Sequence, residues 1–326
     1  MEKSKVSVII PIYKVEKFIE RCVRSLMEQT LQEVEYIFVD DATPDKSIEV
    51  LKKCLTFYPN RKVVVLHHSQ NQGLPAARNT GLAAATGEYI FHCDSDDFVE
   101  VDMLERLYQK AKGTEAEMVW CDWFLAFEKN ERYMKQPEYT SSMEALKGVL
   151  CGAMKYNVWN KLVKRSLYTD NQILFPAGHG MGEDMTMIRL LACAQKVAYV
   201  PQAFYHYVKL NGEAFTNTFS ERHLQDIKYN VDETASFVQS KVESELNPFL
   251  SCFKLNVKYP FIISDRWDMY QLWSEWYPEA NDFIGRNPYA SLRSKVLQYA
   301  AWAKLYWVLW LHYKLVYKFV YGILYR

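Results

Sequence analysis

No pair of cysteines in this chain is spaced C-x-x-C. The seven cysteines (Cys22, Cys54, Cys93, Cys121, Cys151, Cys193, Cys252) are scattered and odd in number. That argues against a disulfide framework and a structural zinc site, and suits a reducing cytoplasm. Uncharged apolar runs approaching about 18 residues are also missing, so no simple membrane span is expected. The first apolar run, Val6 to Tyr13, is short, β-branched and followed by charge, unlike a secretory leader. Net charge is absent too: 39 basic residues balance 39 acidic ones. The molecule as a whole is therefore not biased toward polyanions, and no nucleic-acid partner is expected. No G-x-G-x-x-G follows the first strand, where Pro11 and Tyr13 stand instead, which removes the dinucleotide-binding dehydrogenases. Repeats and low-complexity segments are missing as well.

What is present is an apolar fraction of 49% over 326 residues, enough for one large α/β domain and a smaller appendage. Strand and helix patterns alternate through the first part. Val6 to Ile12 reads as a buried strand, and its β-branched density is typical of parallel sheets. A helix over Val15 to Gln29 follows, then strand Tyr36 to Val39 and a helix that Asp45 would cap. The pattern continues with strand Lys62 to His67, helix Leu74 to Ala85, strand Tyr89 to Cys93, helix Met103 to Lys112 and strand Glu117 to Cys121. It predicts a doubly wound, mostly parallel sheet with right-handed crossovers. Beyond residue 123 the regularity weakens. Helices are expected at Ser141 to Met154 and Gly182 to Ala194, a strand pair around Val197 to Tyr207, and a helical tail from Ser220.

Ligands of such sheets sit beyond the carboxyl ends of the strands. Polar clusters follow Val39, His67 and Cys93, which points to one site. Asp94-Ser95-Asp96-Asp97 crowds three carboxylates after a buried strand. Their mutual repulsion invites a hard cation such as Mg²⁺ or Mn²⁺ that also binds substrate phosphates; the alternative is a solvated acidic turn capping the helix at Met103. Asn71 to Gly81 combines a tight turn at Gly73, small residues, and Arg78 in the first turns of a helix. A guanidinium there suits a base carbonyl or a phosphate. Asp41 ends another strand and either accepts from a base or ribose, or caps a helix. Glu183 and Asp184 open a helix after a glycine-rich loop, either complementing its dipole or supplying a general base.

Together these residues resemble the family 2 glycosyltransferases of the GT-A fold, of the bacterial cell-surface polysaccharide type. The resemblance is carried by Val8-Ile9-Ile10-Pro11-Ile12-Tyr13, Asp40-Asp41, Asn71 to Gly81, Asp94 to Asp97, Trp159-Asn160-Lys161-Leu162 and Gly182-Glu183-Asp184. It spans about residues 5 to 210. It implies a GT-A catalytic domain over residues 1–215, with a nucleotide-binding half (1–122) and an acceptor-binding half (123–215), and a helical region over 216–326. It also implies an inverting, metal-dependent transfer from a nucleotide-diphosphate sugar, UDP foremost, to an acceptor hydroxyl. Pro11, Tyr13, Asp41, Arg78, Asp94 and Ser95 would hold the nucleotide sugar. Trp159 and Lys161 would border the sugar and acceptor. Asp96 and Asp94 would bind Mn²⁺ or Mg²⁺, with His206 as a further ligand or a packed structural histidine. Asp184 would be the catalytic base and Glu183 its neighbour. A catalytically inert carbohydrate- or nucleotide-binding protein on the same fold is the rival reading.

The far end of the chain has a different character. No acidic residue follows Asp282, while Arg286, Arg293, Lys295, Lys304, Lys314, Lys318 and Arg326 remain. On one continuous helix Trp302, Leu305, Tyr306, Leu309, Trp310, Tyr313, Val316, Tyr317 and Val320 would share a face opposite the lysines. That pattern suits a helix lying in a membrane interface rather than crossing it. The expectation is a cytoplasmic protein, peripheral at the inner face of the cell membrane through residues 290–326, acting on a glycan or lipid-linked acceptor. A loop at Thr216, Asn217 and Thr218 is expected to close over the donor.

Overall fold

The structure is a computed structural model that describes residues 4–180, 182, 185–209, 220–242 and 244–316. It divides into two compact units, one formed by Met1–Ala145 with Tyr156–Val238, the other by Leu146–Lys155 with Gln239–Arg326.

The first unit is built on β1 (Val6–Ile12), whose seven residues are all buried. It lies between β2 (Val34–Asp40) and β4 (Tyr89–His92), both parallel to it, with β3 (Lys62–His67) beyond β2. A strand covered on both faces and both edges has no polar side to show, hence its continuous apolar run. Helices α1 (Ile19–Met27), α2 (Ser47–Leu55) and α3 (Leu74–Ala84) make the crossovers. The first helix starts four residues later than the periodicity of Val15 predicts. The Val15 amide donates to Ser47 Oγ and the Glu16 amide to Asp45 Oδ2, which holds this stretch as a turn.

The other side of the sheet is mixed. It comprises β5 (Phe98–Val99), β6 (Met118–Ala126), β7 (Glu131–Met134), β8 (Lys161–Lys164) and β9 (Val197–Val208). The order is β3-β2-β1-β4-β8-β6-β9-β5, with β7 on β6. Strand β8 enters antiparallel between β4 and β6, while β9 runs parallel to β6. The expected strand pair near residue 200 is this one strand. Its register against β6 shifts near Asp122, where Pro201 and Gln202 bulge outward into solvent because proline has no ladder donor. Helices α4 (Met103–Thr114), α5 (Ser142–Leu150), α6 (Arg165–Asp170), α7 (Thr186–Cys193) and α8 (Glu221–Lys241) complete the series. The arrangement is the mixed α/β GT-A architecture with additional C-terminal helices that the motifs imply.

The second unit carries α9 (Asn247–Lys258), α10 (Trp267–Glu275), α11 (Leu292–Trp302) and α12 (Tyr306–His312). Phe253, Phe261, Ile262, Tyr270 and Trp273 form its core. Lys258 is fully buried there; its ammonium donates to the carbonyls of Trp273, Trp276 and Tyr277 and to Asn281 Oδ1. An interior amine is tolerated because each proton finds an acceptor. The single C-terminal helix assumed above is broken at residues 303–305. Ala303 closes α11 and Lys304 takes φ of 57°.

Candidate functional site

Parallel register aligns the polar strand ends. Ile12 pairs with Asp40, and Asp40 with His67, so Tyr13, Asp41 and His68 leave the sheet side by side. Next to them, the Cys93 amide bonds the Ile9 carbonyl and brings Asp94 to the same edge. Pro11 is tolerated inside β1 because residues 9 and 11 face the same neighbour, and pairing with β4 has ended at Ile9. Tyr13 stands 42% exposed at the crevice edge, with Lys14 Nζ 5.4 Å from its ring centre.

Asp41 is buried and fully engaged. One oxygen lies 2.7 Å from His68 Nδ1 and accepts from the Gln72 amide; the other accepts from Asn71 Nδ2 and the Gly73 amide. It therefore caps no helix of its own. It folds the loop that leads into α3, where Gly73 adopts φ of 89°. That helix packs closely on β1. A Cβ on Gly81 would stand 2.4 Å from Ile9 Cγ2, so only glycine fits.

Arg78, on α3, is 2% exposed and donates through Nη2 to Asp94 Oδ1 at 2.8 Å. Its guanidinium lies 5.6 Å from the Phe175 ring. Phe175 is fastened to the same helix, since Asn79 donates to its carbonyl and accepts from its amide. The arginine reaches the acidic loop from inside the fold. Burial, with Arg78 nearby, pushes the His92 imidazole well below its usual range, so the residue before the loop stays neutral.

The acidic loop caps no helix either: β5 intervenes, and the α4 N-cap is Asp102, whose side chain makes no cap bond. Within the loop Asp94 and Asp96 are partly exposed, while Ser95 and Asp97 are buried. Asp97 accepts from the Tyr205 hydroxyl and the Val208 amide. Burial, then Asp96 and Asp94 beside it, push its carboxyl well above the usual range. The same Tyr205 hydroxyl accepts from the Asp94 amide at 3.1 Å, so one phenol ties both ends of the loop. Carboxylates that repel each other at a strand end suit a divalent cation. Among the described residues no group of three His, Cys, Asp or Glu side chains stands ready to hold one. Such a donor set fits a hard ion that takes its remaining ligands from phosphates and water.

Trp159 is nearly buried, stacked on Tyr205 at 4.5 Å and on Tyr207 at 5.4 Å. It braces the tyrosine that ties the acidic loop. Lys161 is buried within β8; its ammonium donates to the Asn157 carbonyl and Asn160 Oδ1.

His206, expected as a further ligand or as a packed structural histidine, sits in a packed setting. Nε2 lies 2.9 Å from Glu100 and Nδ1 2.8 Å from Glu131, and the ring is stacked between Phe98 and Phe124. Both ring nitrogens are engaged by carboxylates.

Glu183 and Asp184 lie outside the described residues, as do Thr216, Asn217 and Thr218. The segment just before the two carboxylates is held from α8: Asp226 bonds His179 and the Gly180 amide, and Asn230 donates to the Gly180 carbonyl. A Cβ on Gly182 would stand 2.0 Å from Asn230 Nδ2.

Sequence reasoning passed over Tyr205, Phe175, His68 and Asn79 as site-shaping residues. Tyr205 carried one usable signal, a hydroxyl in a strand otherwise read as buried, because a buried phenol needs a partner. The other three carried none.

Comparison with known proteins agrees with this fold. The sequence pattern of Glycosyl transferase family 2 matches residues 7–186. The chain is 29% identical over 267 residues to the putative glycosyltransferase EpsH of Bacillus subtilis, covering 77% of this chain and 75% of that protein. In fold it resembles S. aureus TarS 1-349 in complex with UDP-GlcNAc, with a TM-score of 0.70 and 21% identity over 95% of this chain and 91% of that one. It also resembles the mannosyltransferase PcManGT from Pyrobaculum calidifontis in complex with GDP-Man and Mn²⁺, with a TM-score of 0.55 and 17% identity over 95% and 84% of the two chains.

Proposed function

This chain belongs to glycosyl transferase family 2, and from that premise we propose that it moves a sugar from a nucleotide-diphosphate donor, a UDP-sugar foremost, onto an acceptor hydroxyl with inversion. The observation that carries the reading is the Asp94 to Asp97 loop, placed at the carboxyl end of β4 and fastened by Arg78 and Tyr205. The UDP-GlcNAc held by TarS supports a UDP-sugar. The Mn²⁺ beside GDP-Man in PcManGT supports a divalent ion.

In the reaction Asp184 accepts the proton of the acceptor hydroxyl as its oxygen bonds to the anomeric carbon from the face opposite the diphosphate. The bond from that carbon to the phosphate oxygen breaks, and the nucleoside diphosphate leaves with the electron pair. Mn²⁺ or Mg²⁺ held by Asp94 and Asp96 would supply charge neutralisation at the diphosphate. Arg78 and Tyr205 keep Asp94 in place so that this arrangement exists before substrate arrives. Tyr13, Ser95 and the Asp41-folded loop border the nucleotide, while Trp159 borders the sugar and braces the acidic loop through Tyr205. Glu183 positions the acceptor or donor beside the base.

The acceptor class that fits is a glycan or a lipid-linked saccharide in surface polysaccharide synthesis, met at the inner face of the cell membrane. The test is donor turnover with UDP-sugars, with and without EDTA, in wild type, Asp96→Asn and Asp184→Asn. Loss of the base should lower the rate by about 10²–10⁴. Loss of the metal ligand should do at least as much, and EDTA should reproduce it. Turnover indifferent to EDTA and to both substitutions sinks the reading.

A further inference from the structure

Half of the exposed large apolar side chains among the described residues lie between Tyr289 and Leu315. On α11, Leu292 is 79% exposed, and Val296 and Tyr299 follow it at helical spacing on the same side. Leu297, Gln298, Ala300 and Ala301 face inward. Trp302 prolongs the outer side to the break at Lys304. On α12, Trp307 and Trp310 point outward while Leu309 is buried. Tyr306 lies edge-on to Trp267 and within 3.1 Å of Ser274.

This is not the face that a continuous helix would present. Leu309 and Tyr306, assigned to the lipid side by periodicity, are consumed by packing within the second unit. Trp307, assigned to neither side, is 60% exposed. The outward side chains of these two short helices exceed the scattered apolar residues a monomer normally shows.

Charge decides what covers it. No carboxylate occurs after Asp282, while Arg286, Arg293, Lys295 and Lys304 lie along the same stretch, Lys304 exposed between the helices. A second copy seated on this ridge would bring the same cations face to face, with no carboxylate on α11 or α12 to answer them. Anionic headgroups provide that charge, and tryptophan and tyrosine favour the boundary between headgroup and acyl chain. No described helix is long and apolar enough to cross a membrane. We propose that α11 and α12 lie in the headgroup layer of an anionic bilayer, with Leu292, Val296, Tyr299, Trp302, Trp307 and Trp310 inserted. The inference does not depend on the donor chemistry, so its failure would leave the transferase reading intact.

The test uses the full chain with vesicles of phosphatidylcholine alone or mixed with phosphatidylglycerol, followed by flotation and tryptophan emission. Wild type should float with the anionic vesicles only, shift its emission to the blue, and release as salt is raised. Trp307→Ser with Trp310→Ser should abolish flotation without changing the thermal midpoint, both side chains being exposed. Lys304→Asn, which tolerates the left-handed backbone, should weaken binding by about fivefold, from roughly 1 kcal/mol per cation. It keeps the question decidable if the double variant misfolds. Wild type that ignores anionic vesicles overturns the proposal, as does double-variant binding equal to wild type. So does ridge-dependent self-association with no flotation, which would assign the surface to a second copy.

Discussion

Arg78 Nη2 donates to Asp94 Oδ1 across 2.8 Å from a side chain with almost no solvent contact. A cation held inside the fold thus sets the orientation of a carboxylate that is itself partly open to the crevice. The pair divides the labour: the arginine positions, and the aspartate keeps an open side.

Arg78→Ala should therefore harm stability and activity together. Breaking a buried ion pair costs about 3–5 kcal/mol, and the exposed side of Asp94 places this one toward the low end. Denaturant unfolding and donor turnover check it. Arg78→Lys should recover most of the stability and less of the activity, since the ammonium lacks the planar fork. Wild-type stability in the alanine variant would contradict the arrangement.

Tyr205→Phe keeps the stack on Trp159 and deletes one oxygen. The Asp94 amide and the Asp97 carboxylate then each lose a partner, at about 1–3 kcal/mol for unsatisfied buried groups. Mn²⁺ affinity, read by paramagnetic resonance with UDP present, should fall along with turnover. Unchanged Mn²⁺ binding in a less stable protein would reduce the phenol to a packing role.

Asp41→Asn turns an amide toward the Gln72 or Gly73 amide that the carboxylate now accepts from. The loop opens, and the donor KM should rise by about tenfold, the equivalent of about 1.4 kcal/mol, with little change in kcat. Steady-state kinetics at saturating acceptor separates the two constants. A fall in kcat with an unchanged KM would place Asp41 in the chemistry instead.

Glu35 ties Ser7, Lys62, Thr86 and the Gly87 amide across the base of the sheet. Burial pushes its carboxyl up, but Lys62, the Ser7 hydroxyl and the Thr86 amide and hydroxyl outweigh that and bring it from 4.5 down to about 2. A lowered carboxyl contributes its full stability above 4.5 and loses it as pH falls through the range down to about 2, at most about 3 kcal/mol. Unfolding free energy measured from pH 6 to pH 2.5 should show that decline, and Glu35→Gln should flatten it. A parallel decline in both proteins would assign the acid sensitivity elsewhere.

Gly81→Ala should cost about 1–3 kcal/mol by overpacking against Ile9, a β-branched side chain inside a strand and unable to swing away. A thermal midpoint equal to wild type would mean that α3 moves freely off the sheet.

Much of this was legible from the chain alone. Val6–Ile12 and Lys62–His67 stand where the apolar runs put them. The polar residues after strands 1 to 4 share one edge, because parallel strands joined by helical crossovers all run in one direction. These features are local, or follow from short-range periodicity, and a linear reading reaches them. The tertiary structure decided the rest. Strand β8 slips antiparallel between β4 and β6 on only four residues, two of them lysines. Tyr205 ties a loop more than a hundred positions upstream. His206 is held by Glu100 and Glu131, carboxylates that no spacing rule connects to it. The helical period runs unbroken through Ala303, Lys304 and Leu305, yet the helix stops there, where Lys304 turns left-handed and Leu309 packs inward. Partners of that kind are chosen by which surfaces meet when the core closes, and a sequence holds that information only through the whole fold at once.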